Sequence, residues 1–134
     1  MALEKNPPRQ NRVREALERI YDQHPPHFAE YLRRFREDPT SRVFAPLAEA
    51  YRRMGRVDEA ISLCREGLEH HPDFHGGRVA LAKCFIDKKR YEEAKNELLR
   101  VVQGAPENLL AQRLLGDTHL MLQNRHEALH CYKM

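Results

Sequence analysis

The chain repeats itself every 34 residues, and an interval of this size belongs to structural units stacked in a row. Shifted by one interval, Leu47, Leu81 and Leu115 fall in one column, followed by the small residues Ala48, Ala82 and Gly116. Tyr51, Phe85 and His119 form another column. Glu59-Ala60, Glu93-Ala94 and Glu127-Ala128 come next, and Pro72 and Pro106 close the first two copies. A single unit cannot bury both of its faces, whereas a stack of units can.

Within one unit the spacing predicts two helices. In residues 41–54 the apolar positions Val43, Phe44, Leu47, Ala48 and Tyr51 recur at intervals of three and four, which makes one buried stripe. Ser41, after Pro39 and Thr40, is placed to cap that helix. Gly55 can close it with a left-handed residue, and Asp58 and Glu59 fall in the first turn of the next helix, where carboxylates suit the helix dipole. The second helix is expected to run to about His70, where Pro72 stops it. Small residues in the Ala48 and Ala60 columns let the helices approach, while Leu and aromatic columns fill the space between pairs.

Composition agrees with an all-α chain. Sixteen Leu and thirteen Ala stand against eleven Val, Ile and Thr together, a balance that favours helix over sheet. No GxxxxGK or GxGxxG loop occurs, which removes most nucleotide enzymes. The net charge of +3 is what remains of finely interleaved signs, so no segment forms a footprint for nucleic acid. Three cysteines, Cys64, Cys84 and Cys131, without a CxxC, fit neither a disulfide framework nor a zinc knuckle and point to a reducing compartment. The first twenty residues lack the apolar stretch of a signal peptide, and no run is long enough to enter a membrane, so a cytoplasmic protein is expected.

The period of 34, the Leu-Ala(Gly)-x-x-Tyr(Phe) run, the later Ala and the terminal Pro resemble the tetratricopeptide repeat over about residues 41–134. The resemblance implies a right-handed α-solenoid of helix-turn-helix units: a first repeat at 41–74, a second at 75–108 and an incomplete third at 109–134. Upstream, residues 9–38 read as a degenerate or capping helix pair. Val13, Ala16, Leu17 and Ile20 mark its first helix, Pro25-Pro26 the break, and Phe28, Tyr31, Leu32 and Phe35 its second. Residues 1–8 are expected to be a flexible N-terminus.

Solenoids of this family generally bind ligands in a concave groove lined by the first helix of each pair. Carried over by register, the groove columns are Arg42, Ala45, Glu49, Arg52 and Arg53, then Gly76, Val79, Lys83, Ile86 and Asp87, then Leu110, Arg113, Asp117, Leu120 and Met121. Members that grip a peptide carboxylate do so with cationic and amide side chains. Here Lys83 and Arg113 would help while Glu49 and Asp117 would oppose, which argues against such a clamp. A peptide with apolar anchors against Val79, Ile86, Leu120 and Met121, and charges of both signs, matches better.

Other chemistry-bearing residues have plainer explanations. His126-Glu127-Ala128-Leu129-His130 spells HExxH, the pattern of zinc-dependent hydrolases. Yet Glu127-Ala128 is the third copy of the Glu-Ala column, and the histidines fall in the columns of Asp58 and Glu92 or Ser62 and Asn96. His70, His71 and His75 gather at a helix end, where imidazoles sit well beside free carbonyls. Cys64 and Cys84 lie on helical stripes as small core residues.

The third unit stops before any proline equivalent to Pro72 and Pro106, leaving Leu129 and Tyr132 on an apolar edge. Either the chain is a piece of a longer solenoid, or another molecule covers that edge and the chain self-associates. The leading reading is a non-enzymatic scaffold without cofactor, metal or catalytic residue that holds a protein or peptide in its groove. A self-associating assembly module is the second reading, and a hydrolase using His126, Glu127 and His130 the third.

Overall fold

The computed structural model describes residues 27–133. The helix expected over residues 9–23 and the N-terminus before it lie outside them. Seven helices occur among the described residues, with no strand: α1 (Phe28–Glu37), α2 (Phe44–Arg53), α3 (Val57–His70), α4 (His75–Asp87), α5 (Tyr91–Gly104), α6 (Leu109–Met121) and α7 (Arg125–Lys133). Each helix packs on the next, and α2 also packs on α4. Contacts therefore run between near neighbours along the stack, as in a solenoid.

The turns between paired helices are copies of one another. Gly55, Lys89 and Gln123, spaced by 34, all adopt left-handed backbone, with φ of 83°, 60° and 64°. The next residue in each copy donates its N–H to the aromatic-column carbonyl: Arg56 to Tyr51 at 2.9 Å, Arg90 to Phe85 at 2.8 Å and Asn124 to His119 at 2.7 Å. Only Gly55 takes this conformation without a steric cost. Nothing lies within 4 Å of where its Cβ would stand, so the penalty of Gly55→Ala is purely conformational. Gly55→Ala is expected to lower stability by about 1 kcal/mol, and Lys89→Gly to raise it by somewhat less, in urea unfolding.

One boundary differs from expectation. Ser41 does not cap α2 at its first turn. Its Oγ accepts the Val43 N–H at 3.0 Å inside a preceding turn, and the helix begins at Phe44. A hydroxyl can satisfy a nearby amide in a turn as well as at a helix end, and here the turn wins.

The core has two parts. The first centres on Phe44, Leu47, Leu63, Cys64, Leu68, Leu81 and Phe85, and the second on Val79, Leu98, Val101, Ala111, Leu115 and Cys131. Phe44 is fully buried, its ring seated over Gly67 and Gly77, with Phe74 edge-on at 5.8 Å. In the next two copies the Phe44 column becomes polar. Arg78 donates to the Pro72 carbonyl at 3.0 Å and Gln112 to the Pro106 carbonyl at 3.3 Å, so each ties its helix to the proline turn before it.

Candidate functional site

The residues assigned to the groove sit on α2, α4 and α6, but not all are available to a ligand. Arg42, Arg53, Gly76, Asp87, Leu110, Arg113, Asp117, Leu120 and Met121 are exposed, while Glu49, Arg52, Lys83 and Ile86 are half-buried. Val79, expected as an apolar anchor, is only 8% exposed and belongs to the second core cluster. Ala45 of the same column is likewise buried. That column turns toward the neighbouring helices, and only the long charged Arg113 reaches out of it.

The central charges satisfy one another. Arg52 donates to both Glu49 oxygens, at 3.2 and 2.8 Å, and to Asp87 on α4 at 2.9 Å. Lys83 Nζ stands 3.9 Å from Glu49. Hydrogen bonds from Arg52 hold the Glu49 carboxyl below its ordinary value and the guanidinium correspondingly high. Two acids and two bases thus form a closed, neutral patch that links α2 to α4. Sequence reading listed these four residues separately and missed the link. The available signal was an opposite charge 35 residues on, one repeat plus one position.

Asp117 is also engaged. It accepts the Tyr132 hydroxyl at 2.5 Å, and the Tyr132 ring lies over Gly116, where any Cβ would strike it. Desolvation and this hydrogen bond push the Tyr132 pKa up to about 12.

The column of Tyr51, Phe85 and His119 shows how a departure from the pattern is compensated. Arg56 lies 4.8 Å over the Tyr51 ring and Arg90 4.8 Å over Phe85. In the third copy both partners change together, and Asn124 Nδ2 donates to His119 Nδ1 at 3.3 Å. Burial lowers the His119 pKa and so favours the neutral imidazole, the form able to accept.

His126, Glu127 and His130 are exposed on α7, beside a cleft of about 420 Å³ that Leu99, Val102 and His119 also line. Among the described residues no three His, Cys, Asp or Glu side chains are placed to hold a metal, so the residues present do not fit a catalytic zinc. His71 donates through Nε2 to the Thr40 carbonyl at 2.6 Å, while His70 faces solvent. All three cysteines are buried and form no disulfide.

Among the described residues six large apolar side chains are exposed, all on α6 and α7: Leu109, Leu110, Leu120, Met121, Leu129 and Tyr132. Repeat register sorts all but Leu109. Tyr132 shares a column with Cys64 and Leu98, both 0% exposed, and Leu129 shares one with the buried Ile61 and the half-buried Lys95. These two positions are stacking edge, covered upstream by the following unit. Leu110 shares its column with exposed Arg42 and Gly76, and Met121 with exposed Arg53 and Asp87. Those positions face outward in every copy, and Leu120, in the column of half-buried Arg52 and Ile86, lies beside them.

A family model for the tetratricopeptide repeat (TPR) matches residues 51–117, half of the chain. The chain belongs to the TPR family. Sperm-associated antigen 1 of Rattus norvegicus is 26% identical over 98 residues, which are 73% of this chain and 11% of that protein. Solved structures share the fold. MamA aligns with a TM-score of 0.70 at 16% identity, covering 79% of this chain and 63% of its own. YrrB, described as a TPR protein with an unusual peptide-binding site, aligns at 0.71 and 16% identity, covering 77% and 54%. A TPR protein of Parabacteroides merdae aligns at 0.69 and 20% identity, covering 90% and 50%. The TPR chain thus spans under two thirds of each of these relatives. TPR solenoids serve in general as protein-interaction scaffolds, and no helix among the described residues is long and apolar enough to cross a membrane.

Proposed function

We propose that this TPR chain is a non-enzymatic, cytoplasmic adaptor that receives a protein or peptide on the face formed by α2, α4 and α6. The observation that carries this reading is the register of Leu110 and Met121. They are exposed in columns that face outward in every unit, so stacking further repeats does not explain them. Three buried free thiols support a reducing location. The units 41–74, 75–108 and 109–134 serve as rigid supports for this face.

The test is capture of a partner by the wild-type chain against a Leu120→Lys/Met121→Lys variant. Retention should fall at least tenfold. Unchanged retention moves the site off this face.

Self-association through the open edge is a second reading, favoured by Tyr132, whose column is fully buried in both upstream copies. Sedimentation at rising concentration should then show oligomers that Leu129→Lys removes. Oligomers that survive Leu129→Lys, or their absence in the wild type, overturn this reading.

A further inference from the structure

The outward columns change chemistry along the stack. One runs Arg42, Gly76, Leu110, a second Arg52, Ile86, Leu120, and a third Arg53, Asp87, Met121. Each is an arginine in the first unit and a large apolar residue in the third. The middle is electrically closed, because Glu49, Arg52, Lys83 and Asp87 consume one another. Arg42 and Arg53 form no ion pair among the described residues. The Arg42 guanidinium lies 5.4 Å over the Phe74 ring, which leaves its N–H edge to solvent. At the other end Asp117 is held by Tyr132, so Leu110, Leu120 and Met121 face a surface without a free carboxylate from α6. The face therefore has a cationic end, a neutral middle and an end that is apolar apart from the exposed Arg113.

We infer that the ligand is a linear peptide segment of matching polarity, with acidic side chains against Arg53 at the end of α2 and apolar side chains against Leu120 and Met121 at the end of α6. This rests on the groove reading above and adds to it the ligand's chemistry and direction. Spacing follows from geometry. Packed helices such as α2 and α4 stand about 10 Å apart and α6, less closely packed on α4, lies at least as far again, so an extended chain at about 3.3 Å per residue needs about six residues or more to cross. A segment with acidic and apolar groups separated by about six residues or more reaches both ends at once. Its two halves then reinforce each other as tethered contacts.

The probe is a fluorescent synthetic peptide, Asp-Glu, six Gly/Ser residues, then Leu-Phe, with a twin in which Lys-Arg replaces Asp-Glu. Anisotropy titration of the wild-type chain should show the acidic probe binding at least tenfold tighter than the basic twin, with the difference shrinking in high salt. Arg53→Glu should reverse that preference, and Leu120→Lys/Met121→Lys should weaken both probes, each variant keeping its helical circular dichroism. Equal affinity for the twins, no change in preference with Arg53→Glu, or no binding of the acidic probe at millimolar concentration overturns the inference. If capture of a partner still depends on Leu120 and Met121 in those cases, the groove reading stands and the polarity is wrong. If neither variant alters capture, both fail.

Discussion

Phe44→Ala is expected to destabilise the chain by about 4 kcal/mol in urea unfolding, the largest single loss among its core positions. Part of this is the transfer of a fully buried ring to water, and the rest is the void left behind. The void cannot close easily, because its floor is Gly67 and Gly77, which have no side chains to move into it. Phe74, edge-on to the ring, loses its aromatic partner as well. Because contacts run only between near neighbours, exchange protection should fall most in α2 and α3 and least in α6 and α7. Gly67→Ala should cost about 3 kcal/mol for the opposite reason, since its methyl would be driven into the same ring. Combining the two should cost at least about 1 kcal/mol less than their sum, because the methyl then enters the vacated space. Additive losses would show that Phe44 does not occupy the Gly67 socket.

The socket also shows what could be seen in the sequence. Leu47, Leu81 and Leu115, with Ala48, Ala82 and Gly116, fall in columns because every copy buries them in the same way, so periodicity found the fold. Residues that answer to one local neighbour were harder to place. Val79 followed its column into the core although a groove role was expected, and Lys83 turned to Glu49 on the preceding unit. The left-handed turns were visible at Gly55, where glycine announces them, and hidden at Lys89 and Gln123, where the same backbone is imposed by the fold. Exposure along the candidate face needed the structure, because only comparison of equivalent columns separates Met121 from Tyr132.

Glu97→Ala is expected to cost about 2 kcal/mol, more than any other ion-pair substitution on the described surface. Most pairs here lie at the surface and contribute little, as with Arg33 and Glu37 at 55% and 64% side-chain exposure. Arg78 and Glu97 differ: their side chains are 12% and 19% exposed, and they meet at 2.7 Å between α4 and α5. Removing the carboxylate leaves a guanidinium mostly shielded from water, with the Pro72 carbonyl as its remaining acceptor. The first unit shows the apolar alternative, since the columns of Arg78 and Glu97 hold Phe44 and Leu63 there and the columns of Val101 and Ala111 hold Gly67 and Gly77. Replacing only one member, as in Arg78→Phe, should therefore destabilise, because Val101 and Ala111 fill the space that Gly67 and Gly77 leave open for Phe44 and Glu97 loses its partner. The combined change Arg78→Phe/Glu97→Leu/Val101→Gly/Ala111→Gly should recover most of that loss. Recovery would show that the two units solve one packing problem by different chemistry, whereas a loss equal to the sum of the single changes would show that the ion pair is needed in its own right.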